Sequence, residues 1–166
     1  MTVSTGITIL TSGGTIDKQY FDALSEYQIG DSMIARLLEM ARVTLPYEIV
    51  EVSRKDSLDL DDEDRARLVA AARAAPTSRI VVTHGTDTMT VSAAALAEVA
   101  GKTIVLTGAL TPARFSESDA TFNLGMAFAT AQAAAPGVYI TMNGTVFRAD
   151  QVVKDRARGA FVPREE

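Results

Sequence analysis

The sequence predicts an α/β fold with three layers, in which a mostly parallel sheet is covered by helices on both faces. Short runs of β-branched residues alternate along the chain with longer segments of helix formers. The chain has 166 residues, of which 47% are hydrophobic, so it can bury one sizeable core. Since no internal repeat and no long Pro/Gly-rich linker divides it, we expect a single α/β/α domain over residues 1–166.

Each predicted element follows from its local pattern. Short apolar runs rich in Ile and Val predict five strands, at residues 7–10, 47–52, 80–82, 104–106 and 138–140. Helix formers at helical spacing predict four helices, at residues 32–42, 61–75, 90–100 and 121–134. The segment 12–32 has no clear period. Because a loop of that length in a compact domain is more often functional than structural, we expect a lid there.

The composition argues against several kinds of function. A net charge of −5 and only 6% aromatic residues are unlike a nucleic-acid-binding chain. No cysteine and a single histidine leave no disulfide, no thiolate and no common zinc site, so we expect no metal and no cofactor. The N-terminus lacks a basic start, and no apolar run approaches the roughly 18 residues of a membrane span. We therefore expect a cytoplasmic protein without a membrane partner.

Residues 11–15 (TSGGT) follow the first predicted strand directly. Two glycines permit backbone conformations barred to other residues and expose amides beside a hydroxyl, which suits a nucleophile or an anion site. The alternative is a strand-to-helix turn in which the glycines only relieve strain. The motif matches neither of the common phosphate-binding fingerprints, because it lacks their lysine and their glycine spacing.

Residues 84–88 (HGTDT) follow the third predicted strand and place two hydroxyls around a carboxylate. Thr88 or Asp87 alone could cap the next helix, but a cap needs only one oxygen, so the whole cluster favours a site. The lone His84 is more often a satisfied structural group than a catalytic base.

Two further segments carry polar groups toward the same place. Asp56 and Ser57 follow the second predicted strand, and the carboxyl ends of parallel strands meet at one crevice. The acids of 59–64 lack the glycine and glutamate positions of an EF-hand, so we expect them to stabilise a helix N-terminus.

Lys154 follows the last strand pair, where a lysine is usually a surface residue. If it were partly buried beside Thr86 and Asp87, it could activate a hydroxyl.

Taken together, the TSGGT and HGTDT motifs resemble the two signature motifs of bacterial L-asparaginases and glutaminase-asparaginases. The resemblance continues in the family's order through Asp56-Ser57, 107–109 (TGA), 122–124 (FNL), 142–146 (MNGTV) and Lys154. That family has two domains, and its N-terminal domain carries almost all of the catalytic residues. This chain is similar to the short, single-domain asparaginases, so the resemblance implies the fold of the N-terminal domain.

The resemblance also implies catalytic roles. Thr15 would attack the side-chain amide and form a β-aspartyl ester, which water hydrolyses after ammonia leaves. Thr86, Asp87 and Lys154 would form a proton-handling triad, in which Lys154 activates Thr86 or its bound water. Which threonine attacks first stays open. Tyr20 is the candidate lid tyrosine, although it lies nearer to Thr15 than the family's usual spacing, so Tyr27 remains a competitor.

Substrate contacts follow from the same resemblance. Backbone amides around Gly14, Gly85 and Thr86 would stabilise the oxyanion. Asp56 and Ser57 would lie at the substrate, with the α-carboxylate on Ser57. Asp87 would hold the α-ammonium, and the carbonyl of Ala109 would meet the leaving amide.

Two departures predict weak substrate binding. The family's glutamate from the C-terminal domain has no counterpart here, and its usual glutamine after the binding serine is Leu58. We therefore expect hydrolysis of L-asparagine with a high KM; the ratio of asparaginase to glutaminase activity stays open. The alternatives are an ammonia-supplying amidotransferase subunit and an amino-acid-binding module without turnover. The family's assemblies predict a homo-oligomer, either a dimer or a tetramer.

Overall fold

The computed structural model describes residues 5–166 and consists of ten strands and four helices. The strands are β1 (Ile7–Gly13), β2 (Lys18–Phe21), β3 (Glu26–Ile29), β4 (Tyr47–Lys55), β5 (Arg79–Thr83), β6 (Thr103–Thr107), β7 (Gly137–Met142), β8 (Thr145–Arg148), β9 (Val152–Asp155) and β10 (Ala160–Pro163). The helices are α1 (Ile34–Met40), α2 (Asp62–Ala74), α3 (Met89–Leu96) and α4 (Ala120–Ala133).

Six strands form the central sheet in the order β4-β1-β5-β6-β7-β8. The first five are parallel, and β8 pairs antiparallel with β7. The chain leaves β1 for β4 on one side and then returns to place β5 on the other side. The strand order therefore reverses between β1 and β5, and in open α/β sheets the crevice outside such a point is where ligands bind.

The two faces of the sheet are buried by different helices. Because side chains alternate along a strand, Leu10 and Val82 face one core with α2 and α3, whereas Ile9 and Val81 face a second core with α1 and α4. All four side chains are at most 1% exposed. The predicted three-layer α/β/α arrangement is confirmed.

The sequence located the five parallel strands and four helices but missed the smaller strands. The segment 12–32, predicted as a loop, contains the antiparallel hairpin β2–β3. Its residues are mostly polar and partly exposed, so no apolar alternation marks it. The placement of Lys154 after the last strand pair was also wrong, because it lies within β9, which pairs with β10.

The acidic run at 59–64 begins a helix, as the sequence predicted. Asp61 is the N-cap of α2, and its side chain accepts a hydrogen bond from the Asp64 amide at 2.9 Å. The Asp64 carboxylate accepts in return from the Asp61 amide at 3.1 Å and from Lys55 Nζ at 2.8 Å. The Lys55 hydrogen bond lowers the pKa of Asp64 to about 2. Within residues 5–166, none of the helices combines the length and the apolar character needed to cross a membrane.

Lys102 joins the end of α2 to the start of β6. Its Nζ donates to the carbonyl oxygens of Ala72 at 2.8 Å, Ala75 at 2.6 Å and Arg73 at 3.3 Å. A cation at a helix C-terminus satisfies carbonyls that lack intrahelical donors. We predict that Lys102→Met lowers the free energy of unfolding by about 1–2 kcal/mol, measured by urea denaturation. An unchanged unfolding midpoint would show that these bonds contribute nothing net.

Candidate active site

Three turns meet where the strand order reverses. Gly14 follows β1, Gly85 follows β5 and Ser57 follows β4. A Cβ atom on Gly14 would lie 2.4 Å from the Gly85 nitrogen, and one on Gly85 would lie 2.6 Å from the Ser57 Cβ. Gly14 also has a φ of +89°, which other residues rarely adopt. Only glycine allows these backbones to approach so closely, so the contact brings the three turns into one site.

The loop after β6 completes the floor of this site. The backbone amide of His84 donates to the carbonyl of Thr107 at 2.9 Å, and a Cβ on Gly108 would lie 2.3 Å from the His84 oxygen. The side chain of Asn123, on α4, donates to the Gly108 carbonyl at 2.9 Å. Ala109 is buried directly after this contact. The fold therefore brings together the loops after β1, β4, β5 and β6, and each of these loops contains residues to which the resemblance assigned a role.

Lys154 reaches the HGTDT turn from the β9–β10 hairpin. Its Nζ donates to Thr86 Oγ1 at 2.8 Å and lies 2.7 Å from Asp87 Oδ1. The lysine side chain is 17% exposed and the aspartate side chain 31%, so the pair is shielded from water on most sides. A second cation, the exposed Arg156, approaches the same Asp87 oxygen at 3.8 Å. The arrangement can pass a proton between a hydroxyl and a lysine that a carboxylate orients.

The side chain of Thr88 binds a neighbouring turn and does not cap its own helix. It occupies the N-cap position of α3, but its side chain makes no capping hydrogen bond. Instead, Thr88 Oγ1 donates to the carbonyl of Ser57 at 2.8 Å. The capping alternative therefore does not explain this residue, which joins the turn after β5 to the turn after β4.

Ser57 presents a polar atom that the described part of the chain leaves without a partner. Its Oγ is buried and makes no hydrogen bond to any of residues 5–166. A buried hydroxyl without a partner costs about 1–3 kcal/mol, so its presence needs a reason, such as a bound water or a ligand. Thr15 begins the short 3-10 turn after Gly14 and is partly exposed.

Asp56 is occupied by the protein itself. Its Oδ2 lies 2.8 Å from Lys18 Nζ, and its Oδ1 accepts from the Leu58 amide at 3.3 Å. Burial raises the pKa of Asp56, but the hydrogen bonds from Lys18 and from the Leu58 amide outweigh this effect and hold the pKa below its ordinary value. Sequence reasoning missed Lys18, because nothing in the pattern showed that β2 would lie against the turn after β4.

Tyr20 and Tyr27 lie opposite each other on the β2–β3 hairpin. They are register partners with ring centroids 5.4 Å apart, and Tyr27 also packs edge-on against Phe115 at 6.2 Å. Both rings are about half exposed. The fold thus brings the two lid candidates into one aromatic cluster on the hairpin.

His84 is a structural group. Its ring is fully buried, with Nδ1 2.6 Å from the Gly85 carbonyl and Nε2 2.7 Å from Ser92 Oγ on α3. Burial lowers the pKa of His84 to about 4, so the ring is neutral at pH 7. It holds the turn after β5 against α3.

Asp17 was not predicted from the sequence. It is buried two residues after Thr15, and its Oδ1 accepts from the Met33 amide at 2.9 Å just before α1. Burial raises the pKa of Asp17 to about 6, despite opposing contributions from the Met33 amide and Arg114. No sequence signal distinguishes this aspartate from the exposed acids of the same segment.

The fold and the site together define a class of protein. It is an α/β domain with a polar cluster next to the strand switch point, built from a threonine hydroxyl, a lysine and a carboxylate. The family model described as "Asparaginase, N-terminal" matches residues 6–161. Since this match covers nearly all of the chain, the chain belongs to the asparaginase family. The expected likeness to the N-terminal domain of bacterial asparaginases is confirmed.

Individual relatives place the match within longer proteins. A probable periplasmic L-asparaginase of Haemophilus influenzae is 34% identical over 162 residues, which cover 89% of this chain and 46% of the relative. The solved structure of a probable cytoplasmic L-asparaginase from Campylobacter jejuni has a TM-score of 0.82 and 30% identity, over 96% of this chain and 53% of that one. The chain therefore spans about half the length of these relatives. Because their names state different compartments, a cytoplasmic location stays a prediction.

A third relative has a different name. It is one of the subunits of the glutamyl-tRNA(Gln) amidotransferase of Pyrococcus abyssi, and it is 31% identical over 151 residues, which cover 83% of this chain and 33% of that relative.

The buried groups Asp17 and His84 give opposite pH dependences of stability. The raised pKa of Asp17 means that its contribution is present below pH 4 and is lost as the pH rises to about 6. We predict that Asp17→Asn removes this loss. Between pH 4 and pH 7, the unfolding free energy of the variant should therefore rise by about 3 kcal/mol relative to that of the parent. Urea denaturation across this range measures the difference, and a constant difference contradicts the prediction.

The matched variant is His84→Asn, which should change the profile in the opposite direction. Because the pKa of His84 is lowered, its contribution is present above pH 6.5 and is lost as the pH falls to about 4. Relative to the parent, this variant should therefore lose stability as the pH rises over that window.

Proposed function

We propose that this chain hydrolyses the side-chain amide of L-asparagine to L-aspartate and ammonia. The proposal depends on one observation: Lys154 Nζ lies within hydrogen-bond distance of both Thr86 and Asp87. These residues are 68 and 67 positions away from Lys154 in the sequence. Membership of the asparaginase family supports the same reaction. The glycine contact between the turns after β1 and β5 supports Thr15 as the group that faces this cluster.

The proposed reaction has two halves. Thr15 Oγ forms a bond to the amide carbon, the carbon–nitrogen bond breaks, and the threonine proton leaves with the nitrogen as ammonia. Water then attacks the β-aspartyl ester, the ester bond breaks, and a proton returns to Thr15. Thr86, Lys154 and Asp87 take up the proton of the attacking water in the second half, since water without a base is a poor nucleophile.

Backbone and side-chain groups of the crevice bind the substrate in this proposal. The Gly14 amide already donates to the Lys55 carbonyl at 3.0 Å, so in this proposal the amides of Gly85 and Thr86 stabilise the oxyanion, each contributing about 3 kcal/mol. The unpartnered Ser57 Oγ supports its role as donor to the α-carboxylate. Asp87 binds the α-ammonium, and the Ala109 carbonyl accepts from the leaving amide. The Asp56 carboxylate already binds Lys18, so in this proposal Asp56 does not bind the substrate directly. It contributes by holding the short turn that contains Ser57.

The test is ammonia release from L-asparagine, L-glutamine and D-asparagine at millimolar concentration. We predict release from L-asparagine by the parent, loss of at least a thousandfold in Thr15→Ala, and parental activity in Thr145→Ala, a matched control at an exposed position of β8. Release that survives in Thr15→Ala would remove Thr15 from the reaction.

Leu58 offers a test of substrate recognition. Its side chain is 63% exposed, so a glutamine fits there without repacking a core. An added amide near the α-ammonium should strengthen ground and transition states alike, so we predict that Leu58→Gln lowers KM several-fold at unchanged kcat. Steady-state kinetics with L-asparagine measure this. A KM equal to that of the parent would show that the leucine does not cause weak binding.

The named amidotransferase relative supports a second candidate, in which the chain supplies ammonia to a partner protein. Ammonia release by the purified chain alone argues for the hydrolase, and release only with a partner argues for the ammonia-supplying role. Amino-acid binding in a calorimeter without any release would instead define a binding module. We further propose a homo-oligomer, a dimer or a tetramer, which light scattering at micromolar concentration tests.

A further inference from the structure

The β2–β3 hairpin is tied to the rest of the chain at its base. The Gly30 amide donates to the Asp17 carbonyl at 2.8 Å, and the Asp17 amide donates to the Gly14 carbonyl at 3.1 Å. The two ends of the hairpin therefore meet at Asp17, the last residue of the 3-10 turn that begins at Thr15. Beyond this base, the position of the hairpin depends on side-chain contacts.

On the side of the turn after β4, the hairpin borders a cleft. The cleft has a volume of about 390 Å³ and is lined by Lys18 and residues 27–29 on the hairpin and by residues 54–56 and Asp59 opposite. The Lys18–Asp56 ion pair, at 2.8 Å, crosses the edge of this cleft. It is a direct link between the hairpin and the turn that contains Ser57.

The Lys18–Asp56 ion pair can couple the position of the β2–β3 hairpin to that of the Ser57 turn. Its side chains are only 27% and 30% exposed, so water and salt screen it less than a surface pair. Asp56 uses its other oxygen to accept from the Leu58 amide and so begins the short 3-10 turn of Ser57–Asp59. A shift of the Asp56 carboxylate would therefore shift the adjacent Ser57, whose buried Oγ abuts Gly85.

We propose that Lys18 is a positioning residue, which holds the β2–β3 hairpin against the Asp56–Ser57 turn and so fixes the Ser57 hydroxyl for the substrate carboxylate. This inference rests on the proposed asparagine hydrolysis. Lys18 touches neither substrate nor a reacting atom in this role. It acts through Asp56, and its effect falls on substrate binding rather than on the chemical step.

The test compares Lys18→Met, which keeps the aliphatic stem and removes the charge, with Arg73→Met. The control also removes one cation and one ion pair, between Arg73 on α2 and Glu98, which follows α3. We expect Lys18→Met to raise KM for L-asparagine roughly three- to fivefold at a kcat within twofold of the parent. Lys18→Arg should restore KM, and Arg73→Met should match the parent.

Salt and a double substitution separate positioning from general destabilisation. The KM ratio of Lys18→Met to parent should fall only partway toward one between 50 mM and about 1 M salt, because a Debye length of about 3 Å at 1 M weakens even a partly exposed pair in the parent. The combination with Asp56→Asn should be no worse than Asp56→Asn alone, since one interaction is removed once. A ratio of one at low salt, or additive effects, would overturn the proposal.

Amide hydrogen exchange tests the Lys18–Asp56 ion pair independently of enzymatic activity. Amides of residues 19–28 should exchange faster in Lys18→Met than in Arg73→Met or the parent. If the parent releases no ammonia but this difference is present, the proposed function fails and the contact between hairpin and turn stands. If ammonia is released and exchange and KM are both unchanged, the positioning role fails and the proposed function stands.

Discussion

The contact between Gly14 and Gly85 is the constraint on which the rest of the site depends. Neighbouring parallel strands lie about 4.8 Å apart, so the turns that leave β1 and β5 can touch only where side chains are absent. Each glycine is followed at once by a threonine, so the contact brings Thr15 and Thr86 into neighbouring turns. Both turns lie at the point where the strand order reverses, which is where open α/β sheets bind ligands.

Other residues hold the two turns in place or add charged groups beside them. His84 ties the turn after β5 to Ser92 on α3, and Asp17 ties the turn after β1 to the start of α1. Lys154 arrives from a separate hairpin and supplies a cation to Thr86 and Asp87. The helical layers thus hold the two turns from opposite faces of the sheet, while the added hairpins bring charge to the open edge.

Much of this was predictable from sequence, for physical reasons that also explain the exceptions. The parallel strands are buried on both faces and read as apolar runs, and the TSGGT and HGTDT turns lie where those runs end. The hairpins β2–β3 and β9–β10 are short, mixed in polarity and partly exposed, so their pattern resembles that of a loop. The pairing of Lys18 with Asp56 joins distant segments, and no local pattern indicates it, whereas the contact of Lys154 with Thr86 was expected only from the family resemblance.

The most direct test of the account is to locate the aspartyl ester. Thr86→Val keeps the shape of the side chain but removes the hydroxyl that is proposed to handle the water proton. Incubation of this variant with L-asparagine, followed by acid quench and peptide mass spectrometry, should show an aspartyl group on the peptide that contains Thr15. Turnover by the parent without an acylated peptide in the variant, or an aspartyl group on the parent's Thr86, would contradict the account.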